Sequence, residues 1–208
     1  MAQSPTHDDK TRLEAAKRLF LHHGGVLRTS EAIRHGVHPR TLYAMRDAGL
    51  LERLGRGLYR VADQPPLGTP DLVTVALKVP SGVICLISAL AFHELTTQIP
   101  HEVYLALRRG SRAPRLEHPP VRVVWRSGRA FNEGIVTYQI DRIPVRIYSP
   151  EKTLADCFKY RNKIGLDTAV EALKRYVGGS RVDFDSLIGY ARICRVESVM
   201  RPYLEALV

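Results

Sequence analysis

No apolar run in this chain approaches the ~18–20 residues that a membrane-spanning helix requires, which sets aside an integral helical membrane protein. The opening MAQSPTHDDKTR is polar and has none of the apolar centre of a signal peptide, so a cytoplasmic location is expected. Cysteine is scarce: Cys85, Cys157 and Cys194 are far apart, odd in number and set in apolar or helical surroundings. They form no C-x-x-C pair, so a zinc ribbon or redox motif is not expected, and buried thiols in a reducing compartment are the simple reading. A phosphate-binding G-K-[ST] loop and a G-x-S-x-G nucleophile elbow are also missing.

The catalytic strings that come nearest fail on spacing. After His93-Glu94, a zincin would need its second histidine where Thr97 stands. Asp141 with Glu151-Lys152 invites comparison with a metal-dependent nuclease, but the acid and lysine are adjacent instead of separated by one residue. Glu151 and Asp156 lie five apart and do not share a helix face cleanly. No catalytic residue, metal or other cofactor is expected, and neither are repeats or low-complexity stretches.

Positive charge is plentiful. In 208 residues, 31 Lys and Arg against 21 Asp and Glu give a net +10 and a pI near 9.8. Such a surface favours nucleic acid first and an anionic membrane second. With 45% hydrophobic and 25% charged residues, the chain is long enough for one large or two small folded domains.

The organising stretch is Leu27 to Ala62, LRTSEAIRHGVHPRTLYAMRDAGLLERLGRGLYRVA. Residues 1–10 are expected to be a loose tail, followed by a helix from Thr11 to His23 with Leu13, Ala16, Leu19 and Phe20 at helical spacing. Gly24-Gly25 stops it, and Val26-Leu27 suits a short strand or a packing turn. Thr29 or Ser30 can cap a second helix, whose Ala32 and Ile33 are expected to point inward. Gly36 ends that helix, Val37-His38 links, and Pro39 suits the first position of the next. Two short helices joined by a Gly-containing turn are the pattern of a helix-turn-helix.

In the third helix, Leu42 and Met45 mark the inward side. The outward face then carries Arg40, Tyr43, Ala44 and Asp47, flanked by Thr41 and Arg46. Arginine forks onto guanine acceptors, and Thr or Tyr hydroxyls suit phosphates or base edges. Leu50–Leu54 and Leu58–Val61 flank Gly55-Arg56-Gly57, a turn that would project one cation as the tip of a wing. Thr29, Ser30, Arg40, Thr41, Tyr43, Arg46 and Arg56 are the candidate DNA contacts. Charge alone does not argue this, because residues 1–64 hold 11 basic and 7 acidic residues, only +4. The order of elements does.

Gln64-Pro65-Pro66-Leu67-Gly68-Thr69-Pro70 reads as a boundary: domain one over residues 1–64, a linker over 65–70 and a second domain over 71–208. The second opens with a helix from Asp71 to Val79. Val83–Ile87 is a buried strand or the start of a buried helix, and a helix follows from Ser88 to Leu95. Strands are expected at Val103–Leu107, Val121–Trp125, Ile135–Ile140 and Val145–Tyr148, the last two as an antiparallel hairpin. Ser149-Pro150-Glu151 starts a helix with a Ser cap, Pro at the first position and an acid near its positive end. Helices at Asp167–Val177, from Asp183 or Asp185 to Ile193, and at Val196–Leu207 complete the chain. The fold class is therefore α+β, a winged helix-turn-helix followed by a mixed α/β domain with an antiparallel sheet and C-terminal helices.

Two basic clusters remain. Lys159-Tyr160-Arg161-Asn162-Lys163 ends a helix, where cations are ordinary dipole partners. Arg108, Arg109, Arg112 and Arg115 crowd a loop without an acid, a candidate secondary contact to flanking DNA or to an acidic partner.

Three segments, GLLERLGRGLYRV, VICLISALAFHELT with IPHEVYLAL, and IYSPEKTLADCFKYRNKIGLDTAVEALKRY, together resemble the AbiEi family of antitoxins. The resemblance covers nearly the whole chain from about residue 11, and SPEKTLADCFKYR is its most specific piece. It implies a bacterial type IV antitoxin whose winged helix represses its own promoter at repeated sites on double-stranded DNA. Its C-terminal domain would counter an AbiEii-like nucleotidyltransferase toxin without a stable complex. The family's DNA contacts match Arg40, Thr41, Tyr43, Arg46 and Arg56. The alternatives are a protein-interaction module that neutralises a partner through the basic C-terminal domain, and a stand-alone winged-helix regulator without a toxin.

Overall fold

The computed structural model describes residues 7–65 and 67–207. The chain divides into two compact units, Met1–Pro70 with Gln139–Ile143, and Asp71–Tyr138 with Pro144–Val208. Residues 139–143 thus fall with the first unit and not with the expected 71–208.

In the first unit the order is α1 (His7–His22), β1 (Val26–Arg28), α2 (Thr29–Arg34), α3 (Pro39–Asp47), β2 (Leu51–Gly55) and β3 (Leu58–Val61). Of the tail expected over residues 1–10, residues 1–6 lie outside the described residues, while α1 already begins at His7. Ala16 and Phe20 of α1, Ala32 of α2, and Leu42 and Met45 of α3 close one core with Leu27, Val37, Leu51, Tyr59 and Val61. Burying Leu42 and Met45 fully stabilises the fold by about 1.5–3 kcal/mol each, which fixes the rotation of α3. Ile33 is the exception to the expected pattern, 44% exposed. Neighbours on a helix are ~100° apart, so in so short a helix only Ala32 reaches the core.

Both helices of the helix-turn-helix are ended by glycines in the left-handed region. At the end of α2, Gly36 has φ +89°, Val37 N–H donates to Ala32 C=O (2.9 Å) and Gly36 N–H to Ile33 C=O (2.9 Å). After α3, Gly49 has φ +71°, with Leu50 N–H to Met45 C=O (2.8 Å) and Gly49 N–H to Arg46 C=O (3.0 Å). Each is a Schellman closure, which satisfies the last carbonyls and turns the chain sharply. The three strands form an antiparallel sheet in the order β1-β3-β2.

The second unit runs α4 (Pro70–Lys78), β4 (Val83–Ile84), α5 (Leu86–Phe92), β5 (Val103–Arg108), β6 (Val121–Arg126), α6 (Arg129–Asn132), β7 (Ile135–Ile140), β8 (Ile143–Tyr148), α7 (Pro150–Lys159), α8 (Arg161–Ile164), α9 (Leu166–Val177), α10 (Phe184–Cys194) and α11 (Glu197–Glu205). Val83–Ile87 resolves as both readings at once, two residues of strand and then a helix. The sheet order is β6-β5-β4-β8-β7, with β7 and β8 adjacent as expected of a hairpin. It is mixed: β4 pairs antiparallel with β5, whereas β4–β8 and β5–β6 are parallel. Short helices α6 and α8 were not expected from the sequence.

Helix α7 is the centre of this unit, buried from Lys152 to Phe158 and packed on α5, α9, α10 and α11. Its start follows the local chemistry, since Ser149 Oγ accepts from Lys152 N–H (3.3 Å) and Pro150 holds the first position. Glu151 accepts from the Tyr176 hydroxyl on α9 (2.7 Å), and Asp183, not Asp185, caps α10 through Ser186 N–H (2.9 Å).

The core also holds charge. Asp156 on α7 accepts from Lys152 Nζ (2.6 Å), from an Arg126 terminal nitrogen on β6 (2.6 Å) and from Cys194 Sγ on α10 (3.1 Å). Lys152 Nζ also lies 4.4 Å from the Tyr148 ring centroid.

Candidate nucleic-acid interface

The fold places the helix α3 residues as the periodicity requires. Arg40, Tyr43, Ala44, Arg46 and Asp47 are exposed, Thr41 is half-buried, and Leu42 and Met45 face inward. His38 caps the helix, its Nδ1 accepting from Arg40 N–H (3.1 Å), with Pro39 next. The His38 carbonyl accepts from Thr41 N–H (2.9 Å) and Leu42 N–H (3.3 Å), so the first turn is satisfied within the chain and the side chains are what α3 presents outward.

The face divides by how its cations are held. Arg46 donates through Nε to Asp47 (2.9 Å) and sits 5.2 Å from the Tyr43 ring centroid. The hydrogen bond from Asp47, and then its charge, raise the Arg46 pKa above the ordinary value. Among the described residues, Arg40 has no side-chain partner. It is the free cation of this helix and Arg46 the tethered one.

The hairpin behaves as a wing. Gly55 pairs with Leu58, so Arg56-Gly57 is a two-residue tip; Gly57 takes φ +66° and Arg56 is exposed. Thr29 N–H donates to Gly57 C=O (2.9 Å), which ties the start of α2 to the wing tip. Neither Thr29 nor Ser30 caps α2 as expected. Helix α2 begins at Thr29 itself, with Arg28 as the capping residue and its N–H held by Glu31 (3.0 Å). Thr29 is half-buried and Ser30 exposed.

Not every arginine here is available. Arg60 on β3 is buried, bonded to its cross-strand neighbour Glu52 (2.5 Å) and to the Gln64 carbonyl (2.8 Å) and that of Pro65. Lys17 pairs with Asp63 (2.6 Å).

In the second unit the two basic clusters break up. Arg108 ends β5 and donates to Asn132 (2.9 Å) beside the Phe131 ring, while Arg109, Arg112 and Arg115 are exposed. Arg161 donates to the Phe158 carbonyl at the end of α7 (2.9 Å), as a dipole partner should. Arg161 and Lys163 both belong to α8, because the cluster straddles the end of α7.

The chemistry-bearing residues named from the sequence have structural uses. His93 Nε2 is 2.7 Å from the Tyr148 carbonyl, and its pKa is lowered by burial. Cys85, Cys157 and Cys194 are free and buried. Burial pushes the Cys85 and Cys194 thiols up to about 12, which removes the thiolate a nucleophile needs. The sequence reading missed the Arg126–Asp156–Lys152 cluster: Asp156 lies four residues after Lys152 on α7, but Arg126 comes from a distant strand. Burial is the largest influence and works against the Arg126 charge, but Asp156 together with Cys85, Tyr160 and Tyr148 outweighs it and the pKa is raised. Among the described residues, no helix is long and apolar enough to cross a membrane.

Residues 14–62 match the family described as "Transcriptional regulator, AbiEi antitoxin", in agreement with the resemblance read from the sequence. This supports a regulator or antitoxin role. No curated protein matches the chain. Among solved structures, the RV2827C protein from Mycobacterium tuberculosis is similar in fold, with a TM-score of 0.61 and 14% identity. That similarity covers 92% of this chain and 73% of the other.

Proposed function

We propose that this chain is a DNA-binding transcriptional autoregulator that also serves as the antitoxin of a type IV toxin-antitoxin pair. In this reading, residues 1–64 bind DNA, 65–70 link, and 71–208 act against a nucleotidyltransferase toxin without a stable complex. The observation that carries it is the pairing of the exposed Arg40–Tyr43 face of α3 with the Arg56 wing tip. Arg40 and Thr41 would enter the major groove from the first turn of α3. Arg56 would take the adjacent backbone or minor groove, and Thr29 and Ser30 would meet phosphate beside it.

The test is binding of the full chain to duplex DNA from its own promoter, measured by anisotropy over a range of salt. The expected result is sequence-dependent binding that weakens with salt, and weakens further in Arg40→Ala and Arg56→Ala. Binding that ignores both substitutions would remove the assignment of contacts. The antitoxin half is tested separately. Co-expression of the Arg40→Ala/Arg56→Ala chain with a nucleotidyltransferase toxin encoded beside its gene should still restore growth. Failure to restore it, with soluble protein present, would argue for a regulator alone.

A further inference from the structure

One cation from each of the two basic clusters, Arg109 and Lys163, lines the same cavity. This cavity, of about 400 Å³ in the second unit, is lined by Arg109, Arg122 and Lys163 together with the rings of Tyr104, Trp125 and Tyr160. Arg109 comes from the loop after β5, Arg122 and Trp125 from β6, and Tyr160 and Lys163 from the end of α7 and from α8. The volume is within the ~300–1,000 Å³ range of small-ligand pockets. Cations and rings interleave: Arg122 lies 5.6 Å from the Tyr104 centroid and Lys163 5.8 Å from that of Tyr160. Arg122 is paired with Glu102 (2.6 Å), whereas Arg109 and Lys163 have no carboxylate partner among the described residues.

The Tyr160 ring is backed by a further cation. The Arg126 guanidinium is 4.8 Å from its centroid, and two of the three Arg126 nitrogens are buried without a partner. One buried carboxylate, Asp156, faces both Arg126 and Lys152, so the floor behind the cavity keeps an excess of positive charge. A single carboxylate ligand would need one arginine and no rings. Three cations spread around three rings suit a flat π system carrying several anionic oxygens.

We propose that this cavity binds a nucleotide, with the base against Tyr160 or Trp125 and the phosphates on Arg109, Arg122 and Lys163. The nucleotide comes either free or as a unit of a single strand. The site is independent of the winged helix and of the proposed regulatory function.

Trp125 is the single tryptophan of the chain and so reports on this cavity alone. The experiment titrates the full chain with each of the common ribonucleoside triphosphates, with adenosine, with pyrophosphate and with a short single-stranded oligonucleotide. Trp125 fluorescence and calorimetry are followed together, and all titrations are repeated in Arg40→Ala/Arg56→Ala to remove the winged helix. Saturable binding of a nucleotide, weaker binding of adenosine and pyrophosphate, and a loss of about tenfold in each of Arg109→Ala and Lys163→Ala are expected. Binding of the oligonucleotide but of no free nucleotide would assign the strand as the source. Three outcomes overturn the proposal: no saturable binding of either kind, binding unaffected by both substitutions, or pyrophosphate binding as tightly as the triphosphates. If promoter binding fails while nucleotides bind, only the regulatory reading falls.

Discussion

Arg60 in the first unit and Arg126 in the second are both buried cations on strands, yet their surroundings differ in kind. Arg60 has its partners close in the chain: Glu52 across a hairpin, 46% exposed, and two backbone carbonyls just beyond β3. Arg126 shares one fully buried carboxylate with Lys152 and leaves two nitrogens unpaired. The first arrangement is local and tolerant, because water and carbonyls can replace a lost acid. The second is assembled from β6, α7 and α10, and it has no substitute for Asp156. The same contrast separates the two candidate binding surfaces, one carried on a helix and its hairpin, the other gathered from distant segments.

The sharpest way to break this contrast is Asp156→Asn. It should cost about 3–5 kcal/mol, since two buried cations lose their carboxylate, and would appear as a lowered urea or thermal midpoint. An unchanged midpoint would mean that the cluster is not the pivot of the second unit. Next in size, Arg40→Ala should weaken promoter binding about tenfold and relax the sequence preference at the base it contacts. Arg46→Ala should lose less than Arg40→Ala, because Arg46 must first give up Asp47 and Tyr43. Equal losses in the same anisotropy assay would erase the distinction between free and tethered cations. Glu52→Gln should lower stability by less than about 1 kcal/mol, which denaturant titration beside Asp156→Asn would measure directly.

The smallest effect is pH-dependent. Burial lowers the His93 pKa, so the folded state favours the neutral ring while the unfolded chain takes a proton near the ordinary 6.5. The stability it contributes is therefore present above that value and is lost as pH falls toward the lower folded value. Urea midpoints between about pH 7 and pH 5 should fall less steeply in His93→Asn than in the parent chain.

Much of the first unit was legible because its signals are local. Pro39 after His38, the glycines at 36 and 49, and the spacing of Leu42 and Met45 act within a few residues, and the structure uses them as the spacing requires. The misreadings in this region came from contacts that spacing does not reveal. Thr29 is drawn into the helix by the wing-tip carbonyl, and Ile33 loses the core to its neighbour. In the second unit, strand positions were legible from apolar runs, but the parallel pairing of β5 with β6 and of β4 with β8 was not, because alternation along one strand carries no information about its neighbour.

The sequence by itself therefore determined the helix-turn-helix, the wing with Arg56 at its tip, the outward face of α3 and the capped start of α7. Each of these is set by backbone preferences and side-chain periodicity over a turn or two. Only the tertiary structure decided which cations are free, that Asp156 anchors Arg126 as well as Lys152, and that Arg109 and Lys163 line one aromatic cavity. Burial and charge neutralisation depend on residues brought together from remote parts of the chain, and no local pattern encodes those distances.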